Sequence, residues 1–272
     1  MRKLKTIFTS KGSNDDPPDS SKPLSQPVLP PGVYGHFPAV FTITFAWNSD
    51  DKKSSTFFVK DESKEGQAVR LYAFSMNRRK IHHSLTLFNG TDVDSSSPLA
   101  LAGGTATQSS SFIALPGLND GGISAPENRI ERLENKGSLR SLSELFCFSI
   151  PVGSSGNVEV QQQIESFEWR GDSALNKRNG NPLERRLIRL ESTTTQGQEV
   201  VGVWTDDVSP LTGNKLGTFQ FLGSGATGEL GEYWTLMAVM SLIRILEVRY
   251  PGAEGVSGMA SRARPVGGNF LI

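Results

Sequence analysis

Residues 229–250, ELGEYWTLMAVMSLIRILEVRY, constrain this chain more than any other stretch. They read as one helix, and the apolar residues refuse to keep to one face. At about 100° per residue, Tyr233, Trp234, Leu236, Met237, Ala238, Val239, Met240, Leu242 and Ile243 cover the whole circumference. Only Ser241, Arg244 and Glu247 form a polar stripe, confined to the C-terminal half. A helix apolar all round must be buried on every side or lie in a membrane. Arg244 interrupts the run well short of the roughly 20 apolar residues a span needs. The expectation is a helix wrapped by the rest of its own domain, with Trp234, Leu236, Met240, Leu242 and Ile243 at its core.

What wraps it is legible upstream. Between residues 37 and 47, Phe41, Ile43, Phe45 and Trp47 alternate with Thr42, Thr44 and Ala46, the period of a half-buried strand. Further short strands are expected at 55–60, 68–74, 85–88, 112–115, 145–150, 158–169, 186–191, 199–204 and 217–222, each set off by turn residues. About ten strands at hairpin spacing, with little helical pattern between them, predict an antiparallel sandwich or barrel. Two stretches interrupt the series. Residues 89–111 read as a polar loop. Residues 119–143 read as a charged insertion with a short exposed helix, Ser124, Pro126 and Glu127 resembling a capping box ahead of NRIERLENKG. Strands followed by one helix that needs cover all round predict a mainly β fold. Its form is a closed antiparallel barrel of about ten to twelve strands enclosing the C-terminal helix as an apolar plug.

The flanks are polar. Residues 1–36 are rich in Pro, Ser, Asp and Lys and read as a disordered tail, and residues 252–272, past Pro251-Gly252, as a second. The domain is therefore expected over 37–251. Charges balance at 28 against 28, so no global field favours nucleic acid. One cysteine, Cys147, excludes a disulfide framework and a Cys-based zinc site, and reads as a small buried hydrophobe. Three histidines leave little for metal ligation or acid–base work, so neither metal nor cofactor is expected. The N-terminus has no apolar run of signal-peptide length. With no disulfides and no span either, the expected location is the cytosol, with the nucleus or a membrane periphery as alternatives.

RLYAFSMN, SLTLFNG, FSIPVG, FEWRGD, EVVGVWTDD and above all FQFLGSGATGELGEYWTLMAVMSLIRI occur in order over roughly residues 40–250. In these pieces the chain resembles the tubby C-terminal-like superfamily, which includes the plant LURP-one-related proteins and the phospholipid scramblases. The resemblance is nearest to a filamentous-fungal branch with no assigned activity. It implies the barrel with a central helix, and a binding module in which basic residues hold phosphoinositides.

Four groups of residues invite a functional reading. Gly223-Ser-Gly225-Ala-Thr-Gly228 follows a strand and opens a helix, as a dinucleotide fingerprint does, but no second parallel strand follows. The glycines read instead as a tight positive-φ entry into the helix. Arg78, Arg79, Lys80, His82 and His83 lie on a turn and could hold an anionic head group, Arg through bidentate phosphate contacts. Lys177, Arg178, Arg185 and Arg186, with Arg189 beyond, could extend that surface as a secondary basic patch. The plain alternative for both clusters is a solvated loop. Arg244 and Glu247 are spaced to pair on the helix, and Asp206-Asp207 reads as a turn rather than an acid pair. No Ser-His-Asp order, HExxH or P-loop is present, which argues against an enzyme. The expectation is a non-enzymatic module binding anionic phospholipid or a protein partner. The alternatives are a barrel mouth near Arg244 that takes a small molecule, as an accessory protein of a fungal metabolic pathway, and a regulatory protein.

Overall fold

The computed structural model describes residues 27–46, 54–61, 68–77, 84–104, 110–117, 128–137, 145–153, 163–171, 183–190, 198–207 and 214–249. Twelve strands run in chain order: β1 (Val40–Phe45), β2 (Ser54–Asp61), β3 (Val69–Asn77), β4 (Leu85–Phe88), β5 (Pro98–Gly104), β6 (Ser110–Leu115), β7 (Arg129–Asn135), β8 (Leu145–Val152), β9 (Gln163–Gly171), β10 (Glu184–Arg189), β11 (Glu199–Asp206) and β12 (Lys215–Phe221). A short helix α1 (Gly223–Thr227) and a long helix α2 (Gly231–Arg249) follow. Each strand pairs antiparallel with its sequence neighbours, and β12 pairs back to β1, so the barrel is closed and leaves no edge strand.

The register explains which side chains face the core. One row of partners runs Phe45, Phe57, Phe74, Leu87, Ala100 across β1 to β5. Another runs Phe41, Phe219, Trp204, Arg185 across β1, β12, β11 and β10. The apolar members of both rows and α2 residues from Tyr233 to Leu246 belong to one continuous core. Within that helical stretch every residue except Thr235 is buried, and Trp234, Leu236, Met240, Leu242 and Ile243 are fully so. Among the described residues no helix is long and apolar enough to cross a membrane.

Three expectations are corrected. The supposed polar loop 89–111 contains β5, PLALAGG, which is buried along almost its whole length. Ala and Gly carry little β-propensity, yet here their small size lets α2 pack against β5. The supposed helix of the charged insertion is β7, paired along β6 from Arg129 to Glu134. Ile130 and Leu133 match a helical spacing of three, but in a strand that spacing sends them to opposite faces. Leu133 is buried and Ile130 half exposed. Residues 119–127 and 138–143 of the insertion lie outside the described residues.

The third correction concerns the N-terminal flank. Residues 27–36 are packed against the barrel, not a tail. Leu29 is buried against Leu101 and Ala114, and its N–H donates to Asn128 Oδ1 at 2.8 Å. Tyr34 donates to the Gly117 carbonyl and Tyr72 to that of His36. Residues 1–26 and 250–272 lie outside the described residues.

Candidate functional site

Because the strands alternate in direction, even-numbered strands end, and odd-numbered ones begin, at one end of the barrel. That end carries a cavity of about 550 Å³. Three pieces of chain enclose it. The first is a strap, residues 32–39, which runs from Gly117 behind β6 to β1. The second is the end of β8, Pro151 to Gly153, and the third is α1 with the first turn of α2.

The strap is shaped by its own residues. Gly32 and Gly35 take φ of 69° and 76°, where a Cβ is strained. At Gly35 a Cβ would also lie 2.9 Å from Leu99 Cδ2. Tyr72 fixes the strap by a reciprocal pair, its hydroxyl accepting from His36 N–H at 2.6 Å and donating to His36 O at 2.9 Å. Burial holds the Tyr72 hydroxyl pKa above its ordinary value. The Phe37 ring lies 4.7 Å from that of Tyr72. Tyr34 meets Tyr233 edge-on, with centroids 5.5 Å apart.

On the helix side the glycine run does what a tight entry requires. Gly223, Gly228 and Gly231 all have positive φ, while Gly225 is needed for space, a Cβ there lying 2.4 Å from the Val201 carbonyl. The chain thus turns tightly from β12 into α1 and again into α2. Tyr233 Oη donates to Glu131 at 2.9 Å, and its pKa is raised by burial first and by Glu131 second, so the phenol stays neutral.

Beside the cavity, Arg189 ties the helix entry to the wall. Its Nη2 donates to Glu165 at 2.7 Å and its Nη1 to Glu229 at 2.9 Å and Ser224 Oγ at 3.2 Å. The hydrogen bonds that Arg189 donates to Glu165 hold the guanidinium pKa above even its usual high value. Ser224 in turn donates its N–H and hydroxyl to Glu199. Every charge in this cluster has a partner, so it acts as a clamp and presents no free group for chemistry.

The basic residues are distributed differently from the sequence expectation. Arg78, Arg79, Lys80, His82 and His83, and Lys177 and Arg178, lie outside the described residues. Arg185 is corrected: it is buried, paired with Asp206 at 3.2 Å, and contributes nothing to a surface patch. Its register row is the cause, since it follows Phe41, Phe219 and Trp204 on the core-facing side. Arg186, one residue on, faces out and pairs with Glu184. Asp206 is the last residue of β11 and also accepts from the Trp204 indole at 2.6 Å, so it is no half of an acid pair.

Arg244 lies at the opposite end from the cavity. Its Nε donates to Ser111 Oγ at 2.9 Å, and its Nη1 donates to Ser84 Oγ and pairs with Glu247. A Cβ on Gly104 would reach 2.4 Å from its Nη2. The 550 Å³ cavity lies at the other end of the barrel from Arg244. Among the described residues no group of His, Cys, Asp and Glu is arranged to hold a metal.

Sequence reasoning missed the strap. The available signal was VYGHF, two aromatic residues around a glycine in an otherwise Pro- and Ser-rich stretch. Comparison with protein-family models, curated proteins and solved structures gives no match to this chain.

Proposed function

We propose that this chain is a non-enzymatic ligand-binding barrel of the tubby-like kind, with α2 threaded through the lumen and a small molecule held in the strap-bounded cavity. Threading is supported by what the two ends of the helix touch. The Leu230 carbonyl accepts from Gly153 N–H at the cavity end, and Arg244 holds Ser84 and Ser111 at the other. The rise from residue 230 to 244 is about 21 Å, close to the roughly 23 Å of a seven-residue strand.

The observation that carries the ligand reading is the cavity itself. Its 550 Å³ falls within the roughly 300–1,000 Å³ of small-molecule sites, and aromatic side chains line it beside backbone polar groups. Against catalysis, the buried ionic groups Arg185, Arg189 and Arg244 are each neutralised by carboxylates outside the lining. The test is a fluorescence titration with the neutral dye N-phenyl-1-naphthylamine. Wild type should show saturable binding. Ala226→Trp, at an exposed lining position, should abolish it with unchanged circular dichroism. A wild type that fails to bind, or a variant that binds equally, overturns the reading.

A second reading has its own support. The β3–β4 connection leaves from Asn77 and returns at Ser84, whose carbonyl accepts from Asn77 N–H at 2.6 Å, at the end away from the cavity. The β9–β10 connection departs from the same end. In sequence, Arg78, Arg79 and Lys80 belong to the first of these connections and Lys177 and Arg178 to the second, the residue types a phosphoinositide surface would need. Liposome co-sedimentation tests it. Pelleting that needs phosphoinositide and weakens with salt and with Arg78→Ala/Arg79→Ala/Lys80→Ala supports it, and no pelleting removes it.

A further inference from the structure

We infer that the cavity selects an organic cation, a substituted ammonium carrying an apolar group, with Glu232 as its counter-charge. This rests on the ligand reading of the same cavity.

The charges of the lining set the sign of the ligand that fits. Among the described residues the lining contains no Lys or Arg, and Glu232 is the one carboxylate. That carboxylate is exposed and stands in the first turn of α2. The α2 N-terminus opposes a cation with roughly half a positive charge. One full negative charge at the same place outweighs it, leaving the cavity net negative. An anion would meet the helix end favourably but would also meet Glu232, with no fixed cation among the described lining residues to offset the repulsion.

The walls point the same way. Tyr34, Phe37, Phe221 and Tyr233 contribute to the lining. Neither tyrosine offers a negative group: Tyr34 donates to Gly117 O, and Tyr233 donates to Glu131 while burial keeps its phenol protonated. Tyr233 already engages one cation, since the Arg129 guanidinium carbon lies 5.9 Å from its ring centroid. Aromatic faces attract ammonium groups too bulky to be hydrogen-bonded, and a carboxylate beside them completes that chemistry. The cavity is several times larger than a trimethylammonium head, so the ligand brings an apolar substituent against the rings. His36, exposed at the strap, is the remaining ionisable lining group and sits at the cavity rim.

The experiment compares three probes of similar size by isothermal titration against the full chain: phenyltrimethylammonium, its neutral isostere tert-butylbenzene, and benzenesulfonate. Phenyltrimethylammonium should bind tightest. Glu232→Gln should weaken it up to about 5-fold and leave the neutral probe unchanged, and Tyr34→Leu should weaken it about 3- to 30-fold. The exposed position of Glu232 keeps the Gln variant folded, which circular dichroism checks. Equal affinity for cation and isostere, or preference for the sulfonate, overturns the cation assignment and leaves the cavity as a neutral or anion site. If none of the three binds, the ligand reading itself falls, and this inference with it.

Discussion

The indole N–H of Trp169 donates to Ser241 Oγ at 2.8 Å, and the same hydroxyl donates to the Ala238 carbonyl at 2.8 Å. This one contact ties β9 to the buried middle of α2, and it accounts for the single polar residue between Met240 and Leu242. Removing the hydroxyl leaves a buried donor without an acceptor, at a cost of about 1–3 kcal/mol. Ser241→Ala should lower the urea midpoint accordingly. Trp169→Phe with Ser241→Ala should lose less than the sum of the two singles. Strict additivity would show that the contact contributes nothing.

The apolar middle of the helix tolerates no unpaired charge. Met240 and Leu242 are fully buried, so Met240→Asp or Leu242→Asp buries a carboxylate in the apolar core. The penalty, several kcal/mol, is comparable to the whole stability of a domain. Both variants should be insoluble or unfolded. A soluble variant with an unchanged melting temperature would show that α2 is not enclosed.

Two glycines of the helix entry should fail in different ways. In Gly225→Ala the new Cβ meets the Val201 carbonyl at 2.4 Å and Trp234 Cη2 at 2.9 Å. Backbone cannot swing aside, so the loss is about 2–3 kcal/mol with a changed near-ultraviolet Trp signal. In Gly228→Ala the Cβ meets open space, and only the φ of 81° resists it, at about 1–2 kcal/mol. Its Trp signal should be that of wild type.

The Arg189 clamp predicts strong non-additivity. Glu165→Gln strips the nearest counter-charge from a buried guanidinium and should cost about 3–5 kcal/mol. Glu229→Gln removes a carboxylate whose side chain is 60% exposed and should cost under about 1 kcal/mol. Arg189→Met with Glu165→Met should lose less than either buried single change. Denaturant titration of the two Gln variants, the double variant and the Arg189→Met and Glu165→Met singles decides it.

Alkaline pH should unfold the protein by way of its buried phenols. Tyr72 and Tyr233 both have pKa values raised above 10.0, chiefly by burial. The folded state therefore holds these protons where the unfolded chain releases them. Their stabilisation is complete below about pH 10 and is lost as pH climbs beyond it. Tyr233→Phe should flatten the stability profile above pH 10 and leave its slope at neutral pH unchanged. An unaltered alkaline slope would remove Tyr233 from the account.

The sequence alone determined the strand-rich class and the one helix that must be covered on all sides. Alternation in FTITF and apolar cover all round in WTLMAVMSLIRI are local patterns, written by the residues themselves. β5 and β7 stayed hidden because nothing local marks them. Ala100, Ala102 and Gly104 are strand residues only because α2 packs beside them, and RIERLEN is a strand only because β6 lies beside it. The same holds for the site. Arg185 and Arg186 are indistinguishable in sequence. Register sends one to a buried pair with Asp206 and leaves the other outside. The cavity needs Tyr34, Val152 and Tyr233, residues far apart in the chain that meet only when β12 closes on β1 and the strap crosses the barrel end. Periodicity fixes which residues seek cover. Which neighbours provide it, and which space stays open, is a property of long-range pairing that only tertiary structure decides.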